Sequence, residues 1–109
     1  MVRFRKYFDK TLNVENVKNI EKLETFGIKC TYLPDPPEDF DEFEFRTPLG
    51  QDAVVILVAL EMGKIKRIMF TVAEPDDPDM TRSLTDAQLE SLLAQKGEQL
   101  IEFFDYITR

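Results

Sequence analysis

At 109 residues, with 43% apolar side chains and nine phenylalanines, the chain has enough apolar material for one packed core and too little length for two domains. Its net charge of −7 argues against direct binding to nucleic acid or to an anionic membrane surface, since both would repel it. The single cysteine, Cys30, excludes an intramolecular disulfide, and the absence of histidine excludes Ser-His and Cys-His nucleophile pairs and every His-containing metal site.

The first eight residues admit two readings. Val2, Phe4 and Phe8 suit an edge strand, whereas Phe4, Phe8 and Leu12 suit a helical turn. Arg3, Arg5, Lys6 and Lys10 make this segment basic, and no apolar stretch follows Met1 that would serve as a signal peptide. A helix is predicted over Val14–Phe26, with Asn13 as N-cap and Gly27 at C′. Its apolar residues Val14, Val17, Ile20, Leu23 and Phe26 are spaced by three, so the stripe winds around the helix and meets more than one neighbour. Ile28–Leu33 reads as a strand, with Cys30 a small buried hydrophobe on it and Lys29 pointing to the opposite face. Pro34 ends that strand, and with Pro36 and Pro37 it keeps the next segment extended and outside any ladder.

Between Thr31 and Phe45 lie six carboxylates, Asp35, Glu38, Asp39, Asp41, Glu42 and Glu44, with no basic residue among them. Phe40, Phe43 and Phe45 are interleaved. Three readings fit: a solvated loop leading into a strand with charged outer residues; a surface for a basic partner, where aromatics add contact area to charge steering; or a Ca²⁺ site, since hard cations favour oxygen ligands. The last lacks EF-hand spacing and any glycine within the loop. Glu42–Thr47 then alternates, which predicts a strand with Phe43 and Phe45 inward and Glu42, Glu44 and Arg46 in water. Residues 48–52 supply a turn.

Ala53–Leu60 is the longest apolar run and is rich in β-branched residues, so it predicts a central strand buried on both faces. It falls far short of the roughly 20 residues that span a bilayer. Glu61–Lys64 turns the chain, with Gly63 free to take a positive φ. The return strand alternates, placing Lys66, Ile68, Phe70 and Val72 on one face and Ile65, Arg67, Met69 and Thr71 on the other. The basic residues Lys64, Lys66 and Arg67 after the turn suit edge protection, with a nucleic-acid patch as the alternative. Residues 74–79 form a second acidic stretch, read as a connector that ends near a helix N-terminus. That helix opens with a capping box at Thr85 and Gln88 and carries Leu89, Leu93, Leu100, Phe104 and Ile107 on one face. Gly97 falls on the same face, which suits close approach to another element or a bend.

These elements predict a single α+β domain over 1–109: an antiparallel sheet of four or five strands with two main helices packed on one face. The order of helix, strand meander and closing helix resembles that of RWD-type interaction domains of ubiquitin-pathway and kinetochore proteins. Tyr32-Leu33-Pro34-Asp35-Pro36-Pro37 is similar to their Tyr-Pro-x-x-x-Pro signature, but lacks the proline next to tyrosine and comes before the sheet. That resemblance implies an adaptor docking through an apolar helix face.

No phosphate-binding glycine loop, metal-ligand spacing or nucleophile pair is present, so the chain is read as a non-enzyme without cofactor or metal. The expected function is non-catalytic protein binding in the cytoplasm. The preferred form is a small acidic inhibitor or immunity-type protein that blocks a basic, nucleic-acid-handling partner. Asp35, Glu38, Asp39, Phe40, Asp41, Glu42 and Glu44 are the expected contact residues. The alternatives are the adaptor and a small enzyme working through carboxylates or Cys30.

Overall fold

Strand alternation, helix caps and two bulges account for most of the architecture. A computed structural model describes residues 2–34 and 41–109. It arranges them as a 3-10 helix (Val2–Tyr7), α1 (Val14–Val17), α2 (Ile20–Thr25), β1 (Lys29–Tyr32), β2 (Glu42–Leu49), β3 (Asp52–Glu61), β4 (Lys64–Ala73), β5 (Thr81–Ser83) and α3 (Asp86–Ile107). The strands form one antiparallel sheet in sequential order, β1-β2-β3-β4-β5, a meander with β3 at its centre. β5 is a short fifth strand that the sequence, read as a connector leading straight to the helix, did not reveal.

Phe43 and Phe45 of β2 are fully buried, as are Val54, Ile56 and Val58 of β3. They meet Leu92, Leu100, Phe103, Phe104 and Ile107 of α3 in one hydrophobic core. Aromatic edges lock the centre: Phe45 and Phe103 have ring centroids 4.9 Å apart in a T-shaped arrangement. The capping box at α3 forms as the sequence predicts, with Thr85 and Gln88 satisfying each other's backbone N–H. The buried stripe of α3 is rotated from the predicted one, however. Leu92 and Phe103 point inward while Leu89 and Leu93 are only half-buried. Gly97 lies within that stripe, and the one group an added Cβ there would meet among the described residues is the Arg3 guanidinium.

The predicted helix over 14–26 divides. Asn13 caps α1, but Asn19 takes extended-side backbone angles and accepts from the Lys22 N–H, starting α2 afresh. A short polar side chain that bonds its own backbone competes with helix continuation, and here it wins. The break also lets the Asn16 and Asn19 amides donate to the carbonyl and hydroxyl of Tyr106, at 2.8 and 2.9 Å. Gly27 ends α2 with φ +72, as expected of a C′ glycine.

At the N-terminus the helical reading holds, but with a three-residue period. Phe4 and Tyr7 are buried, whereas Phe8 is 40% exposed. The Tyr7 hydroxyl donates to Asp105 (2.8 Å) and to the Ile101 carbonyl (3.2 Å), tying this segment to α3.

The β3–β4 turn uses Met62 as well as Gly63 at positive φ, +56 and +77, the twist that suits a two-residue hairpin. Just beyond it, Leu60 pairs with Ile65 but Ala59 pairs with Arg67, so Lys66 is a bulge residue. The extra residue shifts the alternation by one. Ile65, placed by simple alternation on the outer face, is therefore fully buried in the core. No helix among the described residues is long and apolar enough to cross a membrane.

Candidate functional site

Period-two geometry that sends Phe43, Phe45, Ile56 and Val58 into the core sends their neighbours to the other face of the sheet. Register groups that second face into three rows. Tyr32, Glu44, Leu57 and Met69 form the middle row, Glu42, Ala59 and Arg67 the row toward the β3–β4 turn, and Lys29, Arg46, Val55 and Thr71 the row toward the β2–β3 turn. The core helices lie on the opposite face. Tyr32 is 58% exposed, and Leu57, Ala59 and Met69 are half-buried.

Only the third row is covered. The chain after β4 folds back over it, and the Pro78 carbonyl accepts from Arg46 at 3.2 Å. Val55 is fully buried, and the buried Thr71 hydroxyl donates to its carbonyl at 3.0 Å. β3 is thus enclosed on both faces at Val55 but not at Leu57 and Ala59, which corrects the expectation of a strand buried throughout.

Two carboxylates of this segment, Glu42 and Glu44, are held by cations of the same chain. Glu42 pairs with Arg67 at 3.4 Å and Glu44 with Arg46 at 3.5 Å, and the Thr31 hydroxyl also donates to Glu44. Glu44 and Arg46 are consequently half-buried rather than free in water. Such surface pairs are worth about 0–1 kcal/mol each. The Asp41 carbonyl accepts from the Leu60 N–H at 2.8 Å, which sets the start of β2 against the end of β3. Asp35, Glu38, Asp39 and Phe40 lie outside the described residues.

The two acidic stretches enter the sheet at opposite ends. Asp41 adjoins the β3–β4 turn, whereas residues 74–79 follow Ala73 beside the β2–β3 turn. They do not merge through strand adjacency. The second stretch is also separated from the α3 N-terminus by β5, where Asp86 occupies the first turn instead. Glu74 pairs with Arg82 of β5 at 3.5 Å.

A groove of about 630 Å³ lies between α2, β1 and the β2–β3 turn, lined by Ile20, Leu23, Ile28, Cys30, Pro48 and Ala53 among others. Its Thr47 hydroxyl donates to the Gly27 carbonyl at 2.9 Å. Cys30 is half-buried there rather than fully buried, and burial pushes its thiol above the ordinary value, with Glu44 adding to the shift against the Tyr32 contact. A thiol held protonated is a weak nucleophile at neutral pH. Among the described residues no three His, Cys, Asp or Glu side chains are grouped to hold a metal ion.

Tyr32, Leu57, Ala59 and Met69 were absent from the residues expected at the site. The alternation of Arg67, Met69 and Thr71 pointed to this face, but the β3 run is apolar throughout and gives no sign of which side is left open. No protein-family model, curated protein or solved structure matches this chain.

Proposed function

We propose that this protein is a non-catalytic protein-binding module that docks through the uncovered sheet face and the acidic segment leading into β2. The observation that carries this reading is the middle of that face. An exposed tyrosine and half-buried Leu57, Ala59 and Met69 share it, with the Glu44–Arg46 pair between Tyr32 and Leu57 and the Glu42–Arg67 pair spanning Ala59. Aromatic and apolar side chains interspersed with charged pairs give such a face both contact area and electrostatic complementarity for a protein partner. The acidic segment and the net charge of −7 favour a basic partner. A small inhibitor or immunity-type protein that occupies the phosphate-binding surface of a nucleic-acid-handling enzyme fits this chemistry, with carboxylates in place of phosphates.

The test is capture from a lysate of the source cells on the parent chain and on a D39N/D41N/E42Q variant, followed by kinetics with the recovered partner. The triple variant should associate more slowly at low salt, and Tyr32→Ala should dissociate faster. If both variants bind as the parent does, this face is not the interface. The adaptor reading rests on Ile20, 67% exposed at the rim of the apolar groove. It predicts binding that changes little with salt and is lost on Ile20→Asp.

A further inference from the structure

Lys10 and the basic group Lys64–Arg67, far apart in sequence, come together along the outer edge of β4. Near the hairpin the edge is occupied by the N-terminal segment. The Asp9 N–H donates to the Ile65 carbonyl (2.8 Å), the Ile65 N–H to the Lys10 carbonyl (2.9 Å), and Thr11 bridges to Lys64. At its far end the edge is occupied by β5, which pairs only with Thr71, Val72 and Ala73. Between them, residues 66–70 have no strand along their outer side among the described residues. The gap is roughly 17 Å long at about 3.3 Å per residue. Apolar side chains are left partly uncovered at the same place. Ile68 and Phe70 are half-buried, Phe70 with its ring already 5.2 Å from that of Phe4, while Val58 and Ile56, their partners on β3, are fully buried.

We infer that this open stretch of β4 is a strand-addition site for an extended acidic segment of a protein partner. Unpaired backbone N–H and C=O groups along a strand edge match another polypeptide backbone, and alternate side chains of an added strand would cover Ile68 and the part of Phe70 that Phe4 leaves exposed. The charge of the edge selects the occupant. Lys66 and Arg67 lie on the open stretch, and each is paired to a carboxylate of the chain, Glu61 at 3.7 Å and Glu42 at 3.4 Å. Lys10 and Lys64, at the hairpin end, have no carboxylate within ion-pair distance among the described residues. A chain of net charge −7 thus presents two such cations at the hairpin end of the open stretch, with Asp9 and Glu61 beside Lys64. Lysines and a bulge at an edge discourage indiscriminate pairing, and they admit a strand that brings its own carboxylates. This site shares Arg67 with the uncovered face but does not depend on a partner binding there.

The experiment uses the full chain and a fluorescein-labelled peptide alternating glutamate and valine, with a lysine–valine counterpart and oligothymidylate as controls. Anisotropy should report binding of the glutamate peptide and none of the lysine peptide. Backbone amide shifts and slowed hydrogen exchange should centre on residues 66–70. A K64E/K66E variant, with both positions exposed and folding checked by its melt, should bind the peptide about tenfold more weakly at low salt. Perturbed amides located elsewhere, equal binding of the lysine peptide, or tighter binding of oligothymidylate would each overturn the proposal.

Discussion

Replacing Gly97 by alanine sets helix propensity against a close contact, and the structure decides the sign. Gly97 is buried in the interior of the 22-residue helix α3, and it is not among the residues with positive φ. Alanine there should gain about 0.8–1 kcal/mol from propensity alone. Against this, the new methyl group would collide with the guanidinium end of Arg3. That group is the tip of a long side chain on an exposed residue, and it can rotate into solvent without moving backbone. The net expectation is stabilisation by about 0.5–1 kcal/mol, or a rise in Tm of about 2–4 °C for a domain of this size. Thermal melts of Gly97→Ala, Arg3→Ala and the double variant measure it. The gain should be larger in the Arg3→Ala background, where nothing needs to move. A fall in Tm in both backgrounds would refute the reasoning, since the methyl group would then be clashing with something more rigid than Arg3.

Three further expectations follow from single contacts. Met62→Asn should raise stability by about 0.5–1 kcal/mol, read from the denaturant midpoint, because a left-handed φ is strained for methionine and favoured in an Asn-Gly turn. Met62 is 66% exposed, so little packing is lost. Phe45→Ala should cost about 3–5 kcal/mol by urea unfolding, since its ring is fully buried against Phe103. Burial and the neighbouring Asp105 hold the Tyr7 phenol above its ordinary value near 10. The folded state therefore favours the protonated form. That stability is fully present below pH 10 and is lost as pH rises beyond it. A Tyr7→Phe variant should show a shallower decline in stability above pH 10 when urea unfolding is repeated across alkaline pH.

The sequence displayed its strands and caps well because local chemistry determines them. Phe43 and Phe45 alternate with charges, Gly63 and Gly27 mark turns, and Thr85 with Gln88 makes a capping box. What it concealed depends on single residues that reset a period. Asn19 divides one predicted helix into two, and Lys66 inserts a bulge that turns Ile65 inward. β5 is three residues long and offers no alternation to read. The candidate site was half legible for the same reason. Glu42 and Glu44 could be placed on a face, but their pairing with Arg67 and Arg46 depends on strand register. The openness of that face at Leu57 and Ala59 depends on where a distant loop folds back.

The most direct test of the binding account is the association rate of the captured partner, measured at low and at high salt. The account predicts fast association at low salt that slows steeply as salt rises, with the D39N/D41N/E42Q variant already slow and less sensitive to salt. Equal association rates for parent and variant at low salt would contradict it, and the acidic segment would then be a solvated connector.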